Sequence, residues 1–170
     1  MAASLIGGLI PDTIAPDSII VAEPNKERRT KLVSQFGVQV TADNNVVCQN
    51  SDVVVLAVKP HVMPDVVKQL TGYQNQTLFI SIAAGINITS LQAWLGTQHP
   101  VVRVMPNTPA LIGIGASALY ASGNVSEEKK KHRRNNTRCR WNVDMGQQRV
   151  RSRYCHRPIW KRTCVFHAFY

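Results

Sequence analysis

The sequence has no apolar run of the roughly 18 residues that a membrane-spanning helix needs. Its opening segment, MAASLIGGLI, is apolar, but it carries no basic residue and ends at Pro11, so it lacks the features of a secretory signal peptide. We therefore expect a cytoplasmic protein with no membrane partner.

The end of the chain is poor in acidic residues. Residues 127–170 contain thirteen Lys and Arg against three Asp and Glu, which accounts for the whole net charge of +10. Residues 1–126 contain seven of each sign and are neutral. Composition thus divides the chain into residues 1–126, which we expect to fold as one domain, and a basic tail of residues 127–170.

The tail lacks the patterns of a specific binding module. Structural zinc sites use close pairs of Cys and His, and only one such pair occurs among Cys139, Cys155, His156, Cys164 and His167, so we expect no metal site. We also expect His61, His99 and His132, which have no partner pattern, at the surface.

A nucleic-acid-binding module would show a recognisable motif or patterned aromatic residues, and the tail shows neither. Its basic composition would still bind phosphate backbones in a salt-dependent way. A non-enzymatic nucleic-acid-binding protein therefore stays as the alternative function, although we expect no specific nucleic-acid partner. We predict that the tail is disordered.

Residues 1–126 alternate between short apolar segments and amphipathic ones. Residues 52–58 (DVVVLAV) are apolar after the first position, which is typical of a strand buried on both faces of a parallel sheet. The pattern predicts further strands at 18–22, 38–41, 77–82, 101–104 and 113–120. It predicts helices at 2–10, 26–36, 63–70 and 90–95, and a short helix or turn at 44–50. This alternation predicts an α/β fold, a doubly wound parallel sheet of Rossmann type. Because the chain opens inside the expected first helix, we expect the fold to be incomplete, without its first strand and Gly-rich loop.

In such a sheet, ligands bind at the carboxyl ends of the strands. Glu23 ends a predicted strand where an acidic side chain can accept a hydrogen bond from the ribose 2′-OH of a dinucleotide. The basic residues beyond it, Lys26, Arg28 and Arg29, could instead meet a 2′-phosphate. Alternatively, Glu23 caps the following helix and the basic residues form a solvated surface.

Other predicted strands also end in segments suited to a ligand. Ala57, Val58, Lys59 and Pro60 follow the strongest strand, although Lys59 could equally be a surface lysine in a turn. The segment Ala83-Ala84-Gly85 has so little side-chain bulk that a ligand could approach its backbone, or a helix could pack tightly there.

The most distinctive strand end is Met105-Pro106-Asn107-Thr108-Pro109. Its two prolines exclude a helix, because each fixes φ and pushes the preceding residue toward extended geometry. We therefore predict a rigid loop that presents the side chains of Asn107 and Thr108.

Five segments in this order, AASLIGGLI, EPNKERR, SDVVVLAVKP, ISIAAGI and VRVMPNTPALIGIGASALYA, resemble the N-terminal domain of pyrroline-5-carboxylate reductases over residues 1–128. The resemblance implies reduction of 1-pyrroline-5-carboxylate to L-proline with NADPH or NADH. It implies cofactor contacts at Glu23, Asn25, Asn44, Ala57, Val58, Lys59, Pro60, Ala83, Ala84 and Gly85, with Asn107 and Thr108 beside the nicotinamide. It assigns no catalytic residue to this chain.

The resemblance ends in the tail, since nothing after Lys131 matches. The family continues there into a helical domain that forms the homo-oligomer and carries an SGSGPAY-like substrate segment. Codons for residues 155–166 (CHRPIWKRTCVF), read one base later, are compatible with VTALSGSGPAYF. We hypothesise that residues from about 132 onward are read out of frame, and we expect the chain alone to be inactive.

Overall fold

The computed structural model describes residues 2–10, 15–73, 77–106, 116–123, 125, 142–144 and 163–166. Its helices α1 to α5 are Ala2–Leu9, Lys26–Phe36, Asn44–Gln49, Met63–Gln69 and Ile88–Leu95. Its strands β1 to β8 are Ile19–Ala22, Gln39–Thr41, Val53–Leu56, Leu78–Ser81, Val101–Pro106, Ala116–Ala121, Asn142–Asp144 and Thr163–Phe166. None of the helices in these ranges is both long and apolar enough to cross a membrane.

The described strands form one sheet in the order β2-β1-β8-β3-β4-β5-β6-β7. Neighbours from β2 to β5 are parallel, with helices between consecutive strands, so the predicted α/β fold of Rossmann type is confirmed. One strand departs from the predicted parallel sheet, because β6 runs antiparallel to β5. The connection of residues 107–115 is too short for a crossover, which takes a dozen or more residues, so the chain can only turn back.

The two faces of the sheet are covered by different helices. Val54 of β3 lies in the core cluster that contains Met63 of α4 and residues of α3 and α5. Val55, which points the opposite way, packs in a second cluster with Ile6 of α1 and Leu32 of α2. Because all four residues of β3 are buried, the prediction of a strand covered on both sides holds.

Helix α2 has well-defined signals at both ends. The side-chain Oδ1 of Asn25, the N-cap residue, accepts a hydrogen bond from the backbone N–H of Arg28 at 3.0 Å. At the other end, Gly37 has φ +68° and its N–H donates to the carbonyl oxygen of Val33 at 2.9 Å. A left-handed residue after the last turn favours glycine, which is why Gly37 ends this helix.

Two segments of the tail, which we predicted to be disordered, lie in the sheet of this structure. Strand β7 pairs with β6, and β8 lies between β1 and β3 and pairs in parallel with both. In the usual strand order of a doubly wound sheet, 3-2-1-4-5-6, this is the place of the first strand. We expected this place to be vacant. A vacant place would leave the facing backbone groups of β1 and β3 without partners, whereas buried backbone groups are nearly always paired.

The predicted rigid loop begins later than expected. Strand β5 continues through Met105 to Pro106, which lies opposite Ser117 of β6. Proline fits there because the pairing of β5 with β4 ends at Arg103, so at Pro106 the strand is paired on one side only, as an edge strand is. Asn107 and Thr108 lie outside the described residues.

Candidate functional site

The carboxyl ends of the parallel strands come together at one edge of the sheet. Ala22, the last residue of β1, is level with Thr41 of β2, and Leu56 of β3 is level with Ser81 of β4. The segments that follow these strands therefore begin side by side. All the predicted site residues that the structure describes, from Glu23 to Gly85, lie in these segments.

Glu23 lies directly after β1, as predicted, but its side chain is 0% exposed. Its carboxylate Oε1 accepts a hydrogen bond from the backbone N–H of Asn25 at 2.9 Å, and its own N–H donates to the carbonyl oxygen of Thr41 at 2.9 Å. The carboxylate therefore shapes the turn between β1 and α2. Glu23 does not cap α2 itself, because Asn25 is the N-cap residue.

The basic residues beyond Glu23 are arranged around the same turn. The Nη1 atom of Arg29 donates to the carbonyl oxygens of Glu23 and Pro24 at 2.7 and 2.8 Å, which fixes its guanidinium beside the turn. Lys26 is exposed on the first turn of α2. The end of β1 thus carries positive charge at its surface and a carboxylate beneath it.

Asn44 lies after β2, where it is half-buried as the first residue of α3. The helix is capped by the preceding residue, Asp43, whose Oδ1 accepts from the N–H of Asn45 at 2.8 Å. Asn44 therefore lies at the same edge of the sheet as Glu23, and its side chain is not the capping group.

The segment after β3 offers mainly its backbone to a ligand. The side chain of Val58 is buried in the core, and Ala57 is half-buried. Lys59 and Pro60 are exposed, and the carbonyl oxygen of Lys59 accepts from the N–H of Val62 at 3.2 Å in the turn that leads to α4. Of these four predicted residues, Lys59 alone presents a charged side chain.

The segment after β4 has open space beside it. Gly85 has φ +76°, a conformation that side chains rarely adopt, and a Cβ atom built on it would meet nothing within 4 Å. Ala84 is exposed, while Ala83 is buried and its N–H donates to the Oγ of Ser81 at 3.3 Å. Because the backbone at Gly85 is open, a ligand could pass close to it, whereas tight helix packing, the alternative, is not seen there.

Sequence reasoning missed one component of this edge, the carboxyl end of β8. Phe166 is level with both Ala22 and Leu56, so β8 ends between the segments that hold Glu23 and Ala57. The signal was the short uncharged segment TCVF, with the β-branched residues Thr163 and Val165, which the basic composition of the tail obscured. Among the described residues, no group of three His, Cys, Asp or Glu residues could hold a metal ion.

A parallel α/β sheet that brings an acidic strand end, an exposed lysine turn and an open glycine to one edge defines a dinucleotide-binding domain of Rossmann type. The sequence model of a family described as NADP oxidoreductase, coenzyme F420-dependent, matches residues 1–85, half of the chain. The chain belongs to this family of NAD(P)-dependent oxidoreductases.

The relatives specify the branch of the family. The chain is 47% identical over 127 residues to the pyrroline-5-carboxylate reductase of Pseudomonas aeruginosa, a match that covers 74% of this chain and 46% of the relative. It resembles the structure of a pyrroline-5-carboxylate reductase from Coxiella burnetii with a TM-score of 0.76 and 31% identity, covering 86% of this chain and 56% of that one. The Plasmodium falciparum pyrroline carboxylate reductase with NADP bound gives a TM-score of 0.69 and 26% identity, covering 84% and 51%.

These matches confirm the resemblance that the motifs of residues 1–128 indicated. The chain spans about half the length of the curated relatives it matches.

Proposed function

We propose that this chain is the cofactor-binding part of an NAD(P)H-dependent reductase that converts 1-pyrroline-5-carboxylate to L-proline. The observation that carries the proposal is the shared edge at which the ends of β1, β3 and β4 meet, in a chain whose relatives are pyrroline-5-carboxylate reductases. Nothing in the fold or in these relatives supports the alternative, nucleic-acid binding by the basic tail.

The described residues fit a dinucleotide at this edge. The turn of Glu23 and Asn25, with Asn44 beside it, would hold the adenosine ribose. The backbone of residues 57–60 and the open backbone of residues 83–85 would line the path of the dinucleotide. The resemblance implies that Asn107 and Thr108, which lie outside the described residues, contact the nicotinamide. When bound, the nicotinamide supplies the hydride, and the contribution of these residues is to hold and orient it.

The turn after β1 favours NADPH over NADH in this proposal. Glu23 has no exposed surface, so its carboxylate does not face a ribose phosphate directly. The guanidinium of Arg29 is fixed beside the turn by two carbonyl oxygens, and Lys26 is exposed next to it, so positive charge is available to a 2′-phosphate. We expect the dissociation constant for NADPH, measured by calorimetry, to be lower than that for NADH. Equal dissociation constants for NADPH and NADH, at low salt and at high salt, would contradict this preference.

Substitution of Gly85 by alanine tests the cofactor site. We expect Gly85→Ala to weaken NADPH binding by about tenfold or more, because the added methyl group enters the open space at the strand end. Gly37→Ala is the matched control, since Gly37 also has a positive φ but follows α2 away from this edge. Each variant should lose about 1–2 kcal/mol of stability from the left-handed backbone.

The comparison isolates the effect on the cofactor from the strain that both variants share. The proposal is wrong if calorimetry gives the same NADPH affinity for Gly85→Ala and Gly37→Ala. It is also wrong if the unsubstituted chain, shown to be folded by circular dichroism, binds neither NADPH nor NADH.

Turnover tests the second half of the proposal. The resemblance assigns substrate binding and oligomerisation to a helical domain that the match does not include, so we expect cofactor binding without reduction of 1-pyrroline-5-carboxylate. The measurement is NADPH oxidation by the purified chain with and without this substrate. Clear substrate-dependent oxidation would show that the chain holds a complete active site.

A further inference from the structure

Strand β4 ends earlier than its neighbour β5 at the carboxyl edge of the sheet. The pairing of the two strands stops where Ser81 lies level with Arg103. Strand β5 continues beyond that level, through Pro106, in its pairing with β6. Residues 82–85 therefore leave the sheet beside a strand that goes on, and the open backbone at Gly85 lies in this segment.

The hydrogen bonds of the backbone show where the pairing is interrupted. The N–H of Phe79 donates to the carbonyl oxygen of Pro100, just before β5, at 2.9 Å. Because alternate residues of a parallel strand donate to the same neighbour, the N–H of Ala83 would also be directed toward β5 if β4 continued. Instead it donates to the side-chain Oγ of Ser81 at 3.3 Å. The hydroxyl of Ser81 thus takes the place of β5 as the acceptor.

The environment of Ser81 makes this hydrogen bond informative. Ser81 is 0% exposed, and the other three residues of β4 are apolar. A hydroxyl buried among apolar side chains costs free energy unless it is hydrogen-bonded. A serine oxygen that accepts from the N–H two residues ahead forms a local turn, and such turns compete with strand pairing. The serine at this position therefore accounts for the end of β4.

We propose that Ser81 is a positioning residue of the cofactor site. Its hydroxyl holds the N–H of Ala83 away from β5 and so keeps residues 83–85 in the open conformation that admits the dinucleotide. Since Ser81 has no exposed surface, it acts on the cofactor through this turn and not by contact. A turn that is shaped before binding lowers the cost of ordering it, which is a form of preorganisation. The inference rests on the proposed function, because it requires NADPH to bind at this edge.

Alanine substitution tests the inference with a matched control in the same chain. Ser81→Ala removes the acceptor for Ala83 and should weaken NADPH binding by about three- to tenfold, the effect of one hydrogen bond. Ser51→Ala is the control, because Ser51 is also a buried serine and its hydroxyl donates to the carbonyl oxygen of Val47. Ser51 precedes β3 and so lies at the opposite edge of the sheet. Both variants should lose stability in urea, whereas only Ser81→Ala should lose affinity in calorimetry.

A threonine at position 81 separates the hydroxyl from the stability of the fold. Ser81→Thr keeps the hydroxyl but adds a methyl group to a fully buried position, which should lower stability. We expect its affinity for NADPH to stay within about twofold of that of the unsubstituted chain. If Ser81 had a merely structural role, the affinities of the three variants would follow their stabilities. With a positioning role, they follow the presence of the hydroxyl at position 81.

Hydrogen exchange without cofactor tests the contact itself. The amide of Ala83 should exchange about tenfold or more faster in Ser81→Ala than in Ser51→Ala. Equal exchange rates would overturn the inference, and so would affinities that follow stability. If the unsubstituted chain binds NADPH and Ser81→Ala binds it as tightly as Ser51→Ala does, the inference is wrong while the proposed function stands. If the unsubstituted chain binds no NADPH, both are wrong.

Discussion

At the scale of single residues, His99 shows how a side chain without a sequence pattern can be a core residue. We predicted it at the surface, but it is 2% exposed. Its ring lies edge-on to Tyr73 and Phe79, with ring centroids 4.7 and 5.9 Å apart. The hydroxyl of Tyr73 donates to the carbonyl oxygen of Leu95 at 3.0 Å, which ties this aromatic cluster to α5 at the edge of the sheet opposite the candidate site.

Burial lowers the pKa of His99, because the charged imidazolium loses its hydration. The unfolded chain therefore binds a proton at His99 at a higher pH than the folded chain does. The contribution of His99 to the free energy of unfolding is constant above about pH 7. Stability falls as the pH drops below about 6.5, the pKa of an unperturbed histidine. The slope for one proton is at most about 1.4 kcal/mol per pH unit, measurable by urea unfolding between about pH 7 and 5.5.

The variant that tests this prediction is His99→Gln, which should flatten the pH dependence of stability. Tyr73, whose pKa burial raises further above neutral, does not titrate in this range. The same slope in His99→Gln and in the unsubstituted chain would show that other groups cause it.

At the scale of elements, α2 depends on a cap that also shapes the candidate site. Asn25→Ala removes the side-chain oxygen that accepts from the N–H of Arg28 and should lower the free energy of unfolding by about 1 kcal/mol. Asn25→Ser is the control, because serine is also a good N-cap residue and should keep most of this stability. Both variants keep the hydrogen bond from the backbone N–H of residue 25 to the carboxylate Oε1 of Glu23. The difference in urea midpoint therefore reports on the cap alone. Equal midpoints would mean that the cap contributes nothing.

The elements also show what the sequence alone could predict. Strands such as β3 follow from runs of β-branched residues, and the end of α2 follows from Gly37, because both signals are local. The pairing of β8 does not, because it joins remote parts of the chain. The direction of β6 could have been predicted from the short connection of residues 107–115, which leaves no room for a crossover. The same limit applies to the site: the small residues before Gly85 marked an open strand end, but the burial of Glu23 is decided by packing around it.

At the scale of the whole molecule, the hypothesis that the tail is read out of frame leads to a prediction about the gene. Resequencing the gene should reveal a single-base insertion or deletion near the codons for Lys129, Lys130 and Lys131, where A-rich codons favour slips. The corrected frame should encode an SGSGPAY-like segment downstream. A verified DNA sequence that restores no such frame would refute the hypothesis.

The central place of β8 has a consequence for how the chain matures on the ribosome. Residues 163–166 are synthesised long after residues 19–22 of β1, yet the two segments pair. Until residues 163–166 are made, the edges of β1 and β3 that face β8 lack this partner, and such edges are prone to pair with other chains. We expect the nascent chain to need protection by chaperones during this interval.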